Sequence, residues 1–249
     1  MQKIFDTAKC QNTATRIAKV ALEECTTTLG VALSLADSGE GHLRGTENMF
    51  DKAFEAAAGH HLFKSKATTG EMGVPESVMQ AKGTSRGMID CVLDFDGHLI
   101  GFEHKVVRLP RRKNNHPYGV LYDLGQITID HYRLEMARKL SGGYCTVILH
   151  GPLVEDAKDD EGVYRHFWNS MFLDYSVSIN WGELADEKSG NMSHDSRKWQ
   201  LANIKRLYFH KPYAIADRPM DFRVRNKDKT LAVIGIWAKR RGRLPNVSN

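Results

Sequence analysis

Cysteine is scarce and unpatterned. The four residues, Cys10, Cys25, Cys91 and Cys145, include no C-x-x-C pair. That argues against a zinc ribbon, a redox motif or a disulfide framework, and fits a reducing, cytoplasmic setting. No apolar run approaches the roughly 18 residues that a membrane span needs, and the stretch at 29–36 is too short. The N-terminal residues lack an apolar core followed by small residues, so neither a signal peptide nor a membrane partner is expected. No internal repeat or low-complexity tract is present. The G-x-x-x-x-G-K-[ST] phosphate loop is missing too, so no nucleotide cofactor is expected. What remains is a chain of 249 residues, 41% hydrophobic and 26% charged, long enough to bury a core without staples.

The apolar pattern gives the elements. Ile17, Val20, Ala21 and Cys25 fall at i, i+3, i+4 and i+8, so the first forty residues are predicted to be helical. Thr46 is placed as N-cap of a second, amphipathic helix with Met49, Phe50, Ala53, Phe54 and Ala57 on one face and Gly59 at its end. Glu47, Asp51 and Glu55 stack at four-residue steps on the opposite face, either solvated or turned toward a site. Residues 60–82 have no clear period. MIDCVLDF and HLIGFEHKV, on either side of Asp96-Gly97, are two alternating runs joined by a hairpin turn. A helix over about 122–140 follows, with Ile129, Tyr132, Met136 and Leu140 inward, and Gly142-Gly143 leads into a buried strand at 144–149. Strand-like runs recur at 207–215 and 231–237. Helix, hairpin, helix, strand predicts an α/β fold with a mixed central β-sheet flanked by helices.

The hairpin forces a register. With a two-residue turn at Asp96-Gly97, Leu93 faces Ile100, Cys91 faces Phe102 and Asp90 faces Glu103. Cys91, Leu93, Phe95, Ile100 and Phe102 share the core face; Asp90, Val92, Gly101, Glu103 and Lys105 share the other. Opposed residues have Cβ atoms roughly 4.5–5.5 Å apart, where like charges destabilise a sheet. Two facing carboxylates therefore call for a shared proton, for Lys105, or for a divalent cation; otherwise the face is simply exposed and charged. Hard oxygen ligands at this spacing suit Mg²⁺.

Asp90, a twelve-residue spacer and Glu103-His104-Lys105 resemble the D…(D/E)-x-K signature of the PD-(D/E)xK, or restriction-endonuclease-like, nuclease superfamily. That motif sits on a β-hairpin flanked by helices, and the similarity spans about 46–150. Ile89 stands where proline is common. The Gln-x-x-x-Tyr helix motif of the exonuclease-like branch is not met, because Gln126 is followed at that spacing by Asp130. The resemblance implies a restriction-endonuclease-like core and a Mg²⁺-dependent DNA endonuclease. It implies that Asp90, Glu103 and the backbone carbonyl of His104 hold Mg²⁺. Lys105 then orients or helps deprotonate the attacking water, or stabilises charge on the phosphate. An acid from the preceding helix often joins such sites; Glu55 is the candidate, with Asp51 and Glu47 behind it.

On this view residues 1–249 form a single nuclease domain. It has an N-terminal helical extension at about 1–43, a catalytic core at about 44–150, an acidic segment at 151–195 and a basic subregion at 196–249. The net charge of +5 averages unlike parts: 21 Lys and Arg against 27 Asp and Glu up to residue 195, and 14 against 3 beyond it. Arg223, Arg225, Lys239, Arg240 and Arg241 lie in that basic part. Together with Arg86 before the hairpin and Arg108, Arg111, Arg112 and Lys113 after it, they are candidates to grip double-stranded DNA. A restriction-type enzyme acting as a homodimer is favoured. A phage or repair nuclease of the same fold is one alternative, and a non-catalytic nucleic-acid-binding module is another. Residues 83–87 (GTSRG) also fit G-x-S-x-G, the elbow of serine hydrolases with Ser85 as nucleophile. That motif needs a buried strand before it and a helix after it, and here a period-two strand follows. His60-His61 and Asn115-His116 have no spacing that supports metal or nuclease chemistry.

Overall fold

A computed structural model describes residues 5–37, 45–74, 87–108, 127, 130, 131, 133–151, 220–228 and 230–239. Helix α1 (Thr7–Asp37) and helix α2 (Thr46–Ala58) precede strands β1 (Leu62–Thr68), β2 (Met88–Phe95), β3 (His98–Arg108) and β4 (Gly142–His150). Strands β5 (Met220–Arg225) and β6 (Leu231–Lys239) follow. The six strands form one mixed sheet in the order β1-β2-β3-β4-β6-β5. Only β3 and β4 run parallel; the other neighbours are antiparallel. The fold is thus α/β with a mixed central sheet. Among the described residues no helix is long and apolar enough to cross a membrane.

The hairpin forms as its turn residues require. Asp96 and Gly97 both take positive φ, +56° and +88°, the backbone of a type I′ turn. Pairing then runs Phe95↔His98, Leu93↔Ile100 and Cys91↔Phe102. Cys91, Leu93, Phe95, Ile100 and Phe102 join Phe50 and Phe54 of α2 and the apolar stripe of α1 in one core. α2 packs on β1, β2 and β3, while α1 covers β5 and β6.

The opposite sheet face is covered as well. A parallel β3–β4 pair needs a crossover, and the crossover includes helical residues 127, 130, 131 and 133–136. Leu134, Ala137 and Leu140 pack there against Ile89, Val92 and Ala67 in a second apolar cluster. Gly143 and Gly101 make the close approach feasible. A Cβ on Gly143 would lie 2.9 Å from the Gly101 carbonyl oxygen, and one on Gly101 would lie 2.5 Å from Leu140 Cδ1. The second face of the hairpin is therefore interior, and β4, enclosed on both sides, is buried from Gly142 to Leu149.

Several expectations shift. Val20 is 45% exposed, because small residues (Ala14, Ala18 and Ala21) set the buried stripe of α1 and turn Val20 outward. Gly45, in the left-handed region, is the N-cap of α2, so Thr46 begins the helix as a buried residue instead of capping it. Of the inward residues expected on the crossover, Leu140 is buried, and Ile129 and Tyr132 lie outside the described residues. The buried side of the crossover helix carries Ile127, Asp130, His131 and Leu134, and Met136 is only half-buried. An apolar period could not find a face that includes polar side chains. β1 falls in the stretch without a clear period. β5 falls in a basic run, where Phe222 and Val224, among the described side chains, turn into the core. The 231–237 run is β6, whereas the 207–215 run and the 151–195 segment (past Gly151) lie outside the described residues.

Candidate functional site

β3 outruns its pairing with β2, and the site lies where they part. The ladder stops at Cys91↔Phe102, one pair before Asp90 and Glu103 would face each other. Opposed carboxylates would repel at that distance, and the two acids turn to different partners instead. Thr146 Oγ1 donates to the Glu103 carbonyl at 3.1 Å, so the Glu103 backbone is directed to β4 and that of His104 to the opposite edge. There the His104 N–H donates to Asp90 Oδ2 at 2.7 Å, and the Val106 N–H donates to Glu47 Oε1 at 3.4 Å. Carboxylates thus replace the missing ladder partners. The His104 carbonyl leaves β3 on the same edge as its N–H.

Cations close the cluster. Arg133, on the crossover helix, places Nη1 2.8 Å from Glu103 Oε1, 3.1 Å from Asp130 Oδ1 and 3.1 Å from the Met88 carbonyl. Lys105 Nζ lies 2.7 Å from Glu47 Oε1. Glu103 is only 3% exposed and Asp130 7%. Burial raises the pKa of both, against the pull of Arg133. Burial also lifts Asp90 to about 6, opposed by the His104 N–H and reinforced by Asp130 and Glu47. Burial works against the charge of Arg133, but Glu103 and Asp130 outweigh it and raise that pKa.

The acids of α2 have different roles. Glu47 reaches Lys105 and the β3 backbone. Asp51 is 6% exposed and its Oδ1 has no hydrogen-bond partner; burial, then Asp90 and Glu47, push its pKa to about 8. Glu55, the first candidate of the three, is half-buried and makes neither contact, although its charge reaches Asp51. β3 passes α2 nearer the first turn of the helix, so Glu47 meets Lys105. The His104 imidazole lies on the other sheet face among Phe50, Phe54 and Phe102, with Nδ1 against Thr146 Oγ1. Burial lowers its pKa to about 3. It is a neutral packing group, and only the His104 backbone meets the acids.

The donor set of Asp90, Glu103 and the His104 carbonyl is all hard oxygen, which fits Mg²⁺. Among the described residues, however, no three His, Cys, Asp or Glu side chains converge tightly enough to form a metal-binding group. Arg133 and Lys105 occupy the space between the acids. Asp130 and Arg133 were not found from the sequence. Their signal was an i, i+3 charged pair inside a predicted helix, with Asp130 at the position Gln126-x-x-x fixes.

Arg223 and Arg225 alternate with the buried Phe222 and Val224, so they occupy the sheet face away from α1. Arg86, Arg111, Arg112, Lys113, Arg240 and Arg241 lie outside the described residues, as do the side chains of Arg108 and Lys239. Ser85 is also outside them, and Met88 beyond it starts strand β2 rather than the helix a nucleophile elbow needs. No family model, curated protein or solved structure matches the chain.

Proposed function

We propose that the chain is a Mg²⁺-dependent endonuclease that hydrolyses phosphodiester bonds in double-stranded DNA, most simply a restriction-type enzyme working as a homodimer in a reducing cytoplasm. One observation carries the reading. Asp90 binds the His104 backbone at the point where β2 and β3 part, with Glu103 and Lys105 flanking that residue on β3. The order α2, three antiparallel strands, a crossover with helical residues and a parallel strand supports a restriction-endonuclease-like core. Four buried, free thiols are in keeping with a reducing compartment.

Asp90, Glu103 and the His104 carbonyl would hold the ion. A bound divalent cation supplies hydroxide at neutral pH and relieves the negative charge that grows on the phosphate. Lys105 would orient the attacking water or stabilise that charge, with Glu47 keeping the ammonium in place. Arg223 and Arg225, from the basic end of the chain, would hold phosphates along the duplex.

The test incubates purified protein with plasmid and phage DNA in Mg²⁺ or EDTA. Wild type should cut only with Mg²⁺, and Lys105→Ala should lose about a hundredfold or more in rate. Equal cutting by the two proteins overturns the assignment. Discrete fragments indicate a restriction enzyme, and a smear indicates a less specific nuclease of the same fold.

A further inference from the structure

We propose that Arg133 is a built-in occupant of a cation position that adjoins the one formed by Asp90 and the His104 carbonyl and shares Glu103 with it: Nη1 stands between Glu103, Asp130 and the Met88 carbonyl, and a divalent ion takes its place, with Asp130 joining Glu103 as a ligand. The identity of that ion as a nuclease cofactor rests on the preceding reading; the exchange itself does not.

The guanidinium is seated as a point charge. Arginine usually grips carboxylates as a fork, with two parallel N–H bonds. Here one nitrogen, carrying two hydrogens, has three oxygens within 3.1 Å, while Nε of the same group is buried with no hydrogen-bond partner. The oxygens come from β2, β3 and the crossover helix. All three are hard oxygens, the ligand type that Mg²⁺ takes. Replacing Nη1 with Mg²⁺ asks each oxygen to move by roughly 1 Å, from hydrogen-bond to coordination distance.

The arrangement also explains how buried acids coexist in the protein without an ion. Glu103 and Asp130 would repel across the crossover, and an uncompensated buried charge is costly. Arg133 supplies the missing charge, tethered to the helix that carries Asp130. Displaced, it becomes a free guanidinium beside the site, suited to a phosphate oxygen. Its overfilled Nη1 and empty Nε favour release over a permanent clamp.

Full-length wild type, Arg133→Met, Asp130→Asn and Glu103→Gln are titrated calorimetrically with Mn²⁺ and Mg²⁺ in the absence of DNA, and melted in EDTA and in excess ion. Arg133→Met should melt lower than wild type in EDTA, bind ion roughly tenfold more tightly, and regain wild-type melting when saturated. Asp130→Asn, a neutral isostere that leaves Glu103 for Arg133 to hold, should bind ion at least several-fold more weakly. Unchanged affinity in Asp130→Asn, or no gain in Arg133→Met, overturns the proposal. If Arg133→Met does not fold in EDTA, refolding on Mn²⁺ is the expected result and failure to refold is the contrary one. DNA cleavage reports separately. Ion affinity that responds to Arg133 without any cleavage sinks only the nuclease reading. Cleavage with affinity indifferent to Arg133 and Asp130 sinks only this one.

Discussion

Asp51 follows Phe50 on α2 and is drawn into the core with it, beside Asp90 and Glu47. Its pKa of about 8 in the folded chain stands well above the ordinary carboxyl value of 3.8. The folded state therefore holds a proton that the unfolded state releases. That contribution to stability is fully present below pH 3.8 and is lost as pH rises through 8. Asp51→Asn removes the loss, so the variant should be more stable than wild type at pH 8 by up to about 5 kcal/mol, with the gap closing toward pH 4. Thermal melts of both proteins from pH 4 to 9 check this, and parallel curves would contradict it. The sequence put Asp51, with Glu47, behind Glu55 among three acids at helical spacing. That order did not anticipate Glu47 as the acid that reaches β3, because the choice depends on where β3 crosses α2. Asp90, Glu103 and Lys105 were legible because a two-residue turn fixes the register of the strands that carry them.

At the scale of elements, the crossover helix decides the environment of the hairpin. It packs so closely that glycine is required beneath it. A Cβ on Gly143 would meet the Gly101 carbonyl oxygen at 2.9 Å and Leu134 Cβ at 3.0 Å. A Cβ on Gly101 meets only the ends of the Leu140 and Leu134 side chains, which can rotate. Gly143→Ala should therefore cost about 2–3 kcal/mol and Gly101→Ala less, measured by denaturant unfolding; the reverse order would show that the helix yields more easily than its leucines. Period-two alternation gave both hairpin strands, whereas the apolar period of the crossover helix missed its polar inward residues. Its inward face carries Asp130 and His131 beside Ile127 and Leu134, so counting apolar residues points elsewhere.

The whole molecule joins the two ends of the chain. β6 lies between β4 and β5, paired with β4 from Gly142↔Lys239 to His150↔Leu231. Residues 220–225 and 231–239 of the basic final fifth are thus strands of the central sheet, and cutting the chain before them would remove β5 and β6. Their contribution to DNA binding is tested by substitution: Arg223→Gln with Arg225→Gln should weaken binding to any duplex and reduce the log–log salt slope by up to about two. A slope equal to that of wild type would remove these arginines from the interface. α1 likewise belongs to the core, lining it from Cys10 to Leu33.

Some properties follow from the chain alone. The alternation of side chains along a strand and the turn at Asp96-Gly97 determined the hairpin, its register and its core face, because both are local. Tertiary packing alone decided the rest. It buried the second face of the hairpin, selected Glu47 to meet Lys105, and brought Arg133 and Asp130 onto Glu103 from thirty and twenty-seven residues away. Charges that distant in sequence meet only through the crossover between parallel strands, and no spacing along the chain records its path.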